Sequence, residues 1–308
     1  MPKQTFGKRL AIDIKRNRMI YLLGLICLSY YIIFCYLPMG GIVIAFKNFR
    51  AARGIFGSDW ATPWYKYFDQ FFSSYYFWRL LRNTLLINFY DLIFGFPAPI
   101  ILALLLNELR SNPYKRVVQT VTYLPHFISQ VVVCGIILDF FSSSGLINQL
   151  IQAVGGPMTI FMQDPKYFRG IYVGTGIWQE VGYSSIIYLS ALSSVDMALY
   201  DAAAIDGCNR FRRVFHVTLP GIMPTIVIML ILRMGSMMSV GFEKIILLYN
   251  ESIYETSDVI SSFVYRYGMQ KANYSYATAV GLFNSLFNFL LLILVNGISR
   301  KVNETSLW

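Results

Sequence analysis

Charged side chains are scarce in this sequence. They make up 14% of its 308 residues, while hydrophobic residues make up 56% and aromatic residues 17%. A soluble globular domain has roughly 25% charged and 45–50% apolar residues, so this composition excludes an ordinary soluble domain. Long apolar helices satisfy their own backbone hydrogen bonds inside lipid. The sequence therefore predicts an all-α polytopic membrane protein.

Cysteine and histidine are rare as well. The spacing of the four cysteines matches neither a zinc site nor a disulfide framework, and His126 and His216 have no ligand-like partner spacing. We therefore expect no metal site. The sequence also lacks the Gly-x-x-x-x-Gly-Lys-Ser/Thr loop that cradles phosphates, and no Ser, His and Asp set converges on one side of the membrane. We predict a chain that neither hydrolyses ATP nor catalyses another reaction.

A transmembrane helix needs about 20 mostly apolar residues. Apolar stretches of this length occur about six times along the chain. They cover residues 19–46, 80–106, 117–138, 168–193, 221–249 and 274–299. We therefore predict one transmembrane domain over residues 19–299. It is preceded by a basic segment at residues 1–18 and followed by a tail at residues 300–308.

Basic residues are concentrated on alternate connections between the predicted spans, and the net charge is +10. They lie in the first 18 residues, in the loop after the second span (Arg110, Lys115, Arg116), in the loop after the fourth span and in the tail. The positive-inside rule then predicts that both termini are cytoplasmic. Because the charge follows the topology and forms no single basic patch, it gives no indication of nucleic acid binding.

The connection between the fourth and fifth spans, residues 194–220, predicts a stiff unit of two short helices. Residues 196–205 contain three consecutive alanines, and Ala is the strongest helix former. Gly207 supplies a left-handed turn without a Cβ penalty. Residues 208–217 predict a second short helix, which Pro220 is expected to end as the next span begins. Such a unit would pass a push from a cytoplasmic partner to the spans. We call residues 194–220 the coupling loop.

The coupling loop resembles that of the permease subunits of binding-protein-dependent ATP-binding-cassette (ABC) importers. Their loop reads Glu-Ala-Ala, then Asp-Gly-Ala, then Leu-Pro, and this chain has Asp201-Ala202-Ala203, Asp206-Gly207-Cys208 and Leu219-Pro220. Asp201 stands where Glu is usual and Cys208 where Ala is usual. The resemblance covers nearly the whole chain. Residues 82–85, 104–108 and 123–125 are similar to the sugar-importing branch, and residues 95–127 resemble permeases for complex oligosaccharides.

This resemblance implies a type I ABC importer permease fold, with a core of crossing helices in the bacterial plasma membrane. It implies several partners: a second homologous permease, two nucleotide-binding ATPase subunits that bind ATP and Mg, an extracytoplasmic solute-binding protein, an oligosaccharide substrate and membrane lipid. The chain itself would hold no cofactor. The residues expected to contact the ATPase are Tyr200, Asp201, Ala202, Ala203, Ile205, Asp206, Gly207, Phe211, Leu219 and Pro220.

The loop between the first two spans, residues 47–79, is rich in Trp, Tyr and Phe, and we call it the aromatic loop. Aromatic side chains are typical of the headgroup level of a membrane, which indicates an interfacial helix. The family resemblance adds a second interpretation, in which part of the loop docks the solute-binding protein. Both interpretations can hold together.

Polar residues inside the predicted spans are candidates for the passage, because intramembrane charges are costly unless they face a cavity or a partner. By analogy with sugar permeases the candidates are Trp178, Gln179, Glu180, Tyr183, Arg233, Met234, Met238 and Gly241. In the alternative interpretation, Glu180 and Arg233 pair structurally and never meet the substrate. We expect Glu243 and Lys244 to form a local pair or to snorkel, and Asp91 to satisfy a neighbouring helix.

Two other functions remain open on the sequence alone. The first is a permease with the same mechanism for a different solute, such as a peptide or a polyamine. The second is a channel or sensor whose coupling loop binds a partner that is not an ATPase.

Overall fold

The computed structural model describes residues 12–109 and 111–303, and in this part of the chain the secondary structure is helical apart from one isolated bridge between Lys47 and Trp60. Four helices are long and apolar enough to cross a membrane, or six spans if each of two bent pairs is one span. This confirms the predicted all-α polytopic class. Residues 1–11 and 304–308, which carry much of the predicted basic segment and tail, and Arg110 lie outside the described residues.

The six spans are the following helices. The first is Arg18–Phe46, the second Tyr76–Asn107, the third the bent pair Asn112–Phe127 and Gln130–Phe140, the fourth Pro165–Ser193, the fifth Arg210–Gly235 and the sixth Tyr274–Asn303. Shorter helices lie between them: Lys66–Phe72, Leu146–Ala153, Met197–Ile205, Phe242–Leu248 and Ile260–Tyr265.

The first span packs on the rest of the chain only at its end. Its residues from Arg18 to Met39 include no buried side chain, whereas Ala45 is buried and Gly40–Phe46 lies against the sixth span. A helix that is apolar on all sides needs an apolar environment around it. The exposed length of the first span is therefore suited to lipid or to another protein surface.

The third span is broken where the sequence predicts one helix over residues 117–138. Its two helices meet at 99°. Ile128 and Ser129 have extended backbone, and the Ser129 side chain accepts a hydrogen bond from the backbone N–H of Val132, which caps the second helix. Such a cap satisfies an N–H that a helix terminus leaves without a partner. The break brings His126, just before it, towards the fourth span.

The fifth span ends earlier than the sequence predicts. Its helix stops at Gly235, and residues 236–241 form a loop before the short helix Phe242–Leu248. The Ser236 hydroxyl donates to the carbonyl of Arg233, and Asn288 of the sixth span accepts from the N–H of Met238. These bonds stabilise the C-terminal end of the helix and the loop that follows it. The prediction that the span reaches residue 249 is therefore wrong, and Arg233 lies in the last turn of the helix instead of its middle.

Prolines inside three spans do not interrupt them. A five-residue π-turn ends two residues before Pro38, Pro97 and Pro220, at Ile32–Tyr36, Asp91–Gly95 and Val214–Thr218. A proline lacks the N–H of an ordinary helical residue, and its ring clashes with the carbonyl four residues earlier. A wider turn just before the ring relieves that clash. The second span therefore runs unbroken through Pro97 and Pro99.

Close packing of the fourth span holds the bundle together. Gly182 lies against the backbone of Thr122, and a Cβ at this position would overlap the Thr122 carbonyl. Further along, Tyr188 and Leu192 pack on Ala103 of the second span and Ile222 of the fifth span in one buried cluster. The fourth span is thus in direct contact with the second, third and fifth spans.

A buried charge cluster joins three segments at the end of the bundle that carries the aromatic loop. The carboxylate of Asp258 is 0% exposed, and it accepts from Arg79 at 3.1 Å and from Arg266 at 2.7 Å. The amide of Asn83 donates to the carbonyl of Asp258 at 2.9 Å, and its oxygen accepts from Arg169 at 2.8 Å. Burial lowers the pKa of Arg266, but its hydrogen bond and ion pair with Asp258 raise the pKa by more, so the guanidinium stays charged.

Candidate functional site

A cavity of about 1170 Å³ lies between the second, fourth and fifth spans. Its wall is completed by His126 from the break in the third span and by residues 239–244. This volume is slightly above the roughly 300–1,000 Å³ that is typical of ligand pockets. The break in the third span and the early end of the fifth span both create parts of the wall. The cavity therefore depends on the two places where the predicted spans are interrupted.

The structure brings five of the eight candidate passage residues to this cavity: Gln179, Glu180, Tyr183, Arg233 and Gly241. The other three are not part of its wall. Met238 is buried in a separate cluster with Phe71 and Leu80. Trp178 is exposed on another face of the fourth span, and Met234 is half-buried outside the wall. Residues 179, 180 and 183 share one helix face and residue 178 lies on another, so the passage role of Trp178, Met234 and Met238 stays a prediction.

Arg233 pairs with Asp91 and not with Glu180. The two side chains form an ion pair with a hydrogen bond between the fifth and second spans, at the wall of the cavity. The alternative pairing of Glu180 with Arg233 is therefore wrong, whereas Asp91 does satisfy a neighbouring helix as expected. A lone carboxylate in an apolar span is the signal that could have identified Asp91 as a partner.

Glu180 instead bonds His126. Its carboxylate lies 2.9 Å from Nδ1 of His126. The His126 ring stacks on Tyr183 with 3.8 Å between centroids and 1° between planes. Together they place a carboxylate beside two flat rings, a combination suited to the hydroxyl rim and apolar face of a sugar. Nothing in the sequence indicates His126, because 54 residues separate it from Glu180.

Lys244 is a buried cation at the cavity wall. It is 7% exposed, its Nζ donates to the carbonyl of Tyr172 at 2.9 Å, and the same atom lies 4.8 Å from the Tyr172 ring centroid. Both residues belong to the wall. The expectation that Lys244 pairs with Glu243 or snorkels is therefore wrong. The reason is the early end of the fifth span, which turns the chain back and inserts Phe242–Leu248 beside the fourth span.

The coupling loop begins as predicted. A helix over Met197–Ile205 is capped by the side chain of Asp196, which accepts from the N–H of Ala198 at 2.9 Å. Gly207 has a φ of 75°, in the left-handed region that favours glycine. The bend between the fourth span and this short helix is 72°.

The second half of the coupling loop differs from the prediction. There is no separate second helix, because Arg210–Gly235 is continuous and Pro220 lies inside it. The π-turn before Pro220 accommodates the ring, so the proline does not end the helix. The hydroxyl of Tyr200 donates to Thr218 at 3.1 Å and ties the short helix to the base of the fifth span. The coupling loop is therefore the start of the fifth span itself, with one short helix bonded to it.

Two of the predicted ATPase-contacting residues project into solvent. Ile205 is 87% exposed and Phe211 is 80% exposed, on either side of Gly207. Asp201, Ala202 and Asp206 are also exposed, while Ala203 is buried and Leu219 and Pro220 lie in the base of the fifth span. Exposed large apolar side chains grouped in this way are typical of an interaction surface.

Metal-binding clusters are not found in the described ranges, since no three His, Cys, Asp or Glu residues there are arranged to hold an ion. Of the two histidines, His126 bonds Glu180 and His216 bonds the carbonyl of Arg212.

The sequence profile of the family described as "Binding-protein-dependent transport system inner membrane component" matches residues 95–304. Two relatives come from Bacillus subtilis. The protein LplB is 43% identical over 100% of this chain and 97% of its own length. The polygalacturonan/rhamnogalacturonan transport system permease protein YteP is 40% identical over 99% of this chain and 95% of its own length.

Solved structures agree with this match. A chain of a bacterial ABC transporter involved in the import of the acidic polysaccharide alginate superimposes with a TM-score of 0.88 and 42% identity, over 96% of this chain and 99% of that chain. A chain of the alginate transporter in complex with an alginate pentasaccharide-bound periplasmic protein gives a TM-score of 0.89 and 41% identity, over 97% and 100%. The chain therefore belongs to the family of binding-protein-dependent transport system inner membrane components, and it is a permease subunit of an ABC importer.

Proposed function

We propose that this permease forms one half of a passage that carries an oligosaccharide into a bacterial cell. It pairs with a second homologous permease, receives its substrate from an extracytoplasmic binding protein and is driven by two ATPase subunits that bind ATP and Mg. The chain's own role is mechanical and not catalytic. Family membership supports the assembly, and one solved relative is in complex with a pentasaccharide-bound periplasmic protein.

The substrate we propose is an acidic oligosaccharide. Two relatives with more than 40% identity belong to an alginate importer, and YteP is a permease for polygalacturonan and rhamnogalacturonan. The cavity supplies the groups that a sugar requires, with the stacked rings of His126 and Tyr183, the carboxylate of Glu180 and the amide of Gln179. Aromatic faces suit the apolar faces of sugar rings, and polar side chains suit their hydroxyl groups.

The coupling loop is proposed to lie in the cytoplasm, with both termini, and to fit a groove on one ATPase. The observation that carries this proposal is the pair of exposed apolar side chains, Ile205 and Phe211, on a capped helix bonded to the fifth span. A push on the short helix reaches Thr218 through Tyr200. Because Arg210–Gly235 is one unbroken helix, it carries the push directly to Arg233 at the cavity.

The aromatic loop is proposed to lie on the extracytoplasmic side, where it has two parts. Phe71 and Phe77 pack with Phe283 of the sixth span and anchor the loop. Trp60, Trp64, Tyr75 and Trp78 remain exposed. These exposed rings suit either the headgroup level of the membrane or the surface of a docked binding protein.

The proposal is tested by the substitution Gly207→Val in the transporter reconstituted into proteoliposomes with its partner subunits. A β-branched side chain is strained at a φ of 75°, so the turn between the two parts of the coupling loop should change shape. We expect ATP-driven oligosaccharide uptake to be lost while the permease still inserts into the membrane.

Gly155→Val is the matched control, because Gly155 has a φ of 82° and equally open surroundings but lies outside the coupling loop. It should leave uptake near the wild-type level. Unchanged uptake in Gly207→Val, or an equal loss in both variants, would argue against coupling through this loop. Competition with a panel of oligosaccharides, peptides and polyamines tests the substrate class separately.

A further inference from the structure

Lys244 differs from the other basic side chains of the cavity because no carboxylate of the described residues pairs with it. Arg233 is bonded to Asp91 and His126 to Glu180. Lys244 forms no ion pair with any Asp or Glu in residues 12–109 and 111–303. An intramembrane charge is costly unless it is paired or faces water, and buried charges usually have partners. An anionic partner for the Lys244 ammonium is therefore expected from outside the described residues.

The surroundings of Lys244 hold the ammonium in place without saturating it. Nζ donates to the carbonyl of Tyr172 at 2.9 Å and lies 4.8 Å from the centre of its ring. An ammonium has three N–H donors, so two remain. Gly176, one turn further along the fourth span, lies beside the ammonium, since a Cβ there would be 3.4 Å from Nζ.

We propose that Lys244 binds a carboxylate of the transported sugar and makes the passage selective for acidic over neutral oligosaccharides. This inference rests on the function proposed above and assigns one residue to its substrate selectivity. The Lys244 ammonium can donate to a hydroxyl or to a carboxylate, but only the carboxylate adds the Coulomb attraction between two opposite charges. A uronate therefore gains more from the two free donors than a neutral sugar with hydroxyl groups alone.

The carboxylates of the cavity wall differ in how strongly they oppose the attraction between Lys244 and a sugar carboxylate. Asp91 and Glu180 are already bonded within the wall. Glu243 is the sequence neighbour of Lys244, is exposed at the wall and has no ion pair among the described residues. Its charge opposes a carboxylate that enters the cavity. Glu243→Gln, one residue away from Lys244, is consequently a control that should change uptake of an acidic sugar in the opposite direction.

The experiment compares uptake of an oligogalacturonate with uptake of its fully methyl-esterified form in proteoliposomes that hold the complete transporter. The ester keeps the size and ring geometry of the sugar but has no charge. We expect Lys244→Met to reduce uptake of the acid by about tenfold or more, because a hydrogen bond to a charged group is lost. Uptake of the ester should change less than twofold, Lys244→Arg should retain most uptake of the acid, and Glu243→Gln, which removes an opposing charge, should raise uptake of the acid.

Because the binding protein also selects the substrate, the same two sugars are titrated against the purified permease pair and ATPases without the binding protein. The dissociation constant of the ester divided by that of the acid should fall about tenfold in Lys244→Met. Equal losses for acid and ester, or no loss for either, would overturn the assignment of Lys244 alone. A wild-type transporter that takes up neither sugar would overturn the proposed function and the assignment with it.

Discussion

The two ends of the helical bundle stabilise their polar groups in opposite ways. At the end with the aromatic loop, Asp258 is fully buried and bonded to two arginines from different segments. At the end with the coupling loop, the ion pair between Arg210 and Glu108 is 3.9 Å long and both side chains are largely exposed. A buried ion pair is costly to break, whereas an exposed pair contributes little in water.

Apolar side chains separate the two ends less sharply. Phe71 of the aromatic loop is buried against Phe263 and Phe283, while Ile205 and Phe211 of the coupling loop project from the surface. The aromatic loop nevertheless exposes Phe56, Trp60 and Tyr75 as well, so both ends present apolar surface that a partner or the membrane can cover. The aromatic-loop end differs in that Phe71 also anchors it to the buried core of the bundle.

The largest effect is expected at Asp258. Asp258→Asn removes the buried negative charge between Arg79 and Arg266 and leaves two partly buried guanidinium groups without it. Removing one partner of a buried ion pair typically costs about 3–5 kcal/mol, so thermal unfolding in detergent should occur at a markedly lower temperature. Asp59→Asn is the control, since Asp59 pairs with Arg53 at the same end but in an exposed position. Similar unfolding midpoints for the two variants would contradict the expected difference between a buried and an exposed ion pair.

An intermediate effect is expected at the apolar surface of the coupling loop. Ile205→Asp or Phe211→Ala should weaken binding of the ATPase by about 2 kcal/mol, or about 30-fold, which is the scale of an interface hot spot. Thermal stability of the isolated permease should be unchanged, because both side chains project into solvent. Binding is measured by titration of the purified ATPase.

Phe56→Ala provides the matched control for this titration, as Phe56 is 98% exposed in the aromatic loop. It should leave ATPase affinity unaltered. Weaker ATPase binding by Phe56→Ala, with normal binding by the coupling-loop variants, would reverse the proposed orientation of the protein in the membrane.

The smallest effect is expected from Glu108→Gln. Its ion pair with Arg210 is long and exposed, and such pairs contribute about 0–1 kcal/mol. The unfolding midpoint should therefore move by no more than a degree or two in low salt, and not at all in high salt, where surface charges are screened. A large shift of the midpoint would indicate that the ion pair at the coupling-loop end stabilises the chain more than its exposure implies.

Local sequence was sufficient where a structure depends on neighbouring residues. The helix over Met197–Ile205, its turn at Gly207 and the apolar spans were predicted because capping, glycine turns and hydrophobic length act over a few residues. The break at Ser129 and the end of the fifth span at Gly235 were missed. Both depend on hydrogen bonds that compete with the helix, from a side-chain cap in one case and from Asn288 in the other.

The sequence by itself determined the membrane class, the approximate number of spans and the first helix and glycine turn of the coupling loop, because hydrophobic runs and turn residues express their preferences locally. Only the tertiary structure decided which polar groups meet. Asp91 was paired with Arg233, His126 with Glu180, and Lys244 was placed beside Tyr172. These partners are between 54 and 142 residues apart. Their contact depends on how the helices pack and where they break, which no local pattern contains.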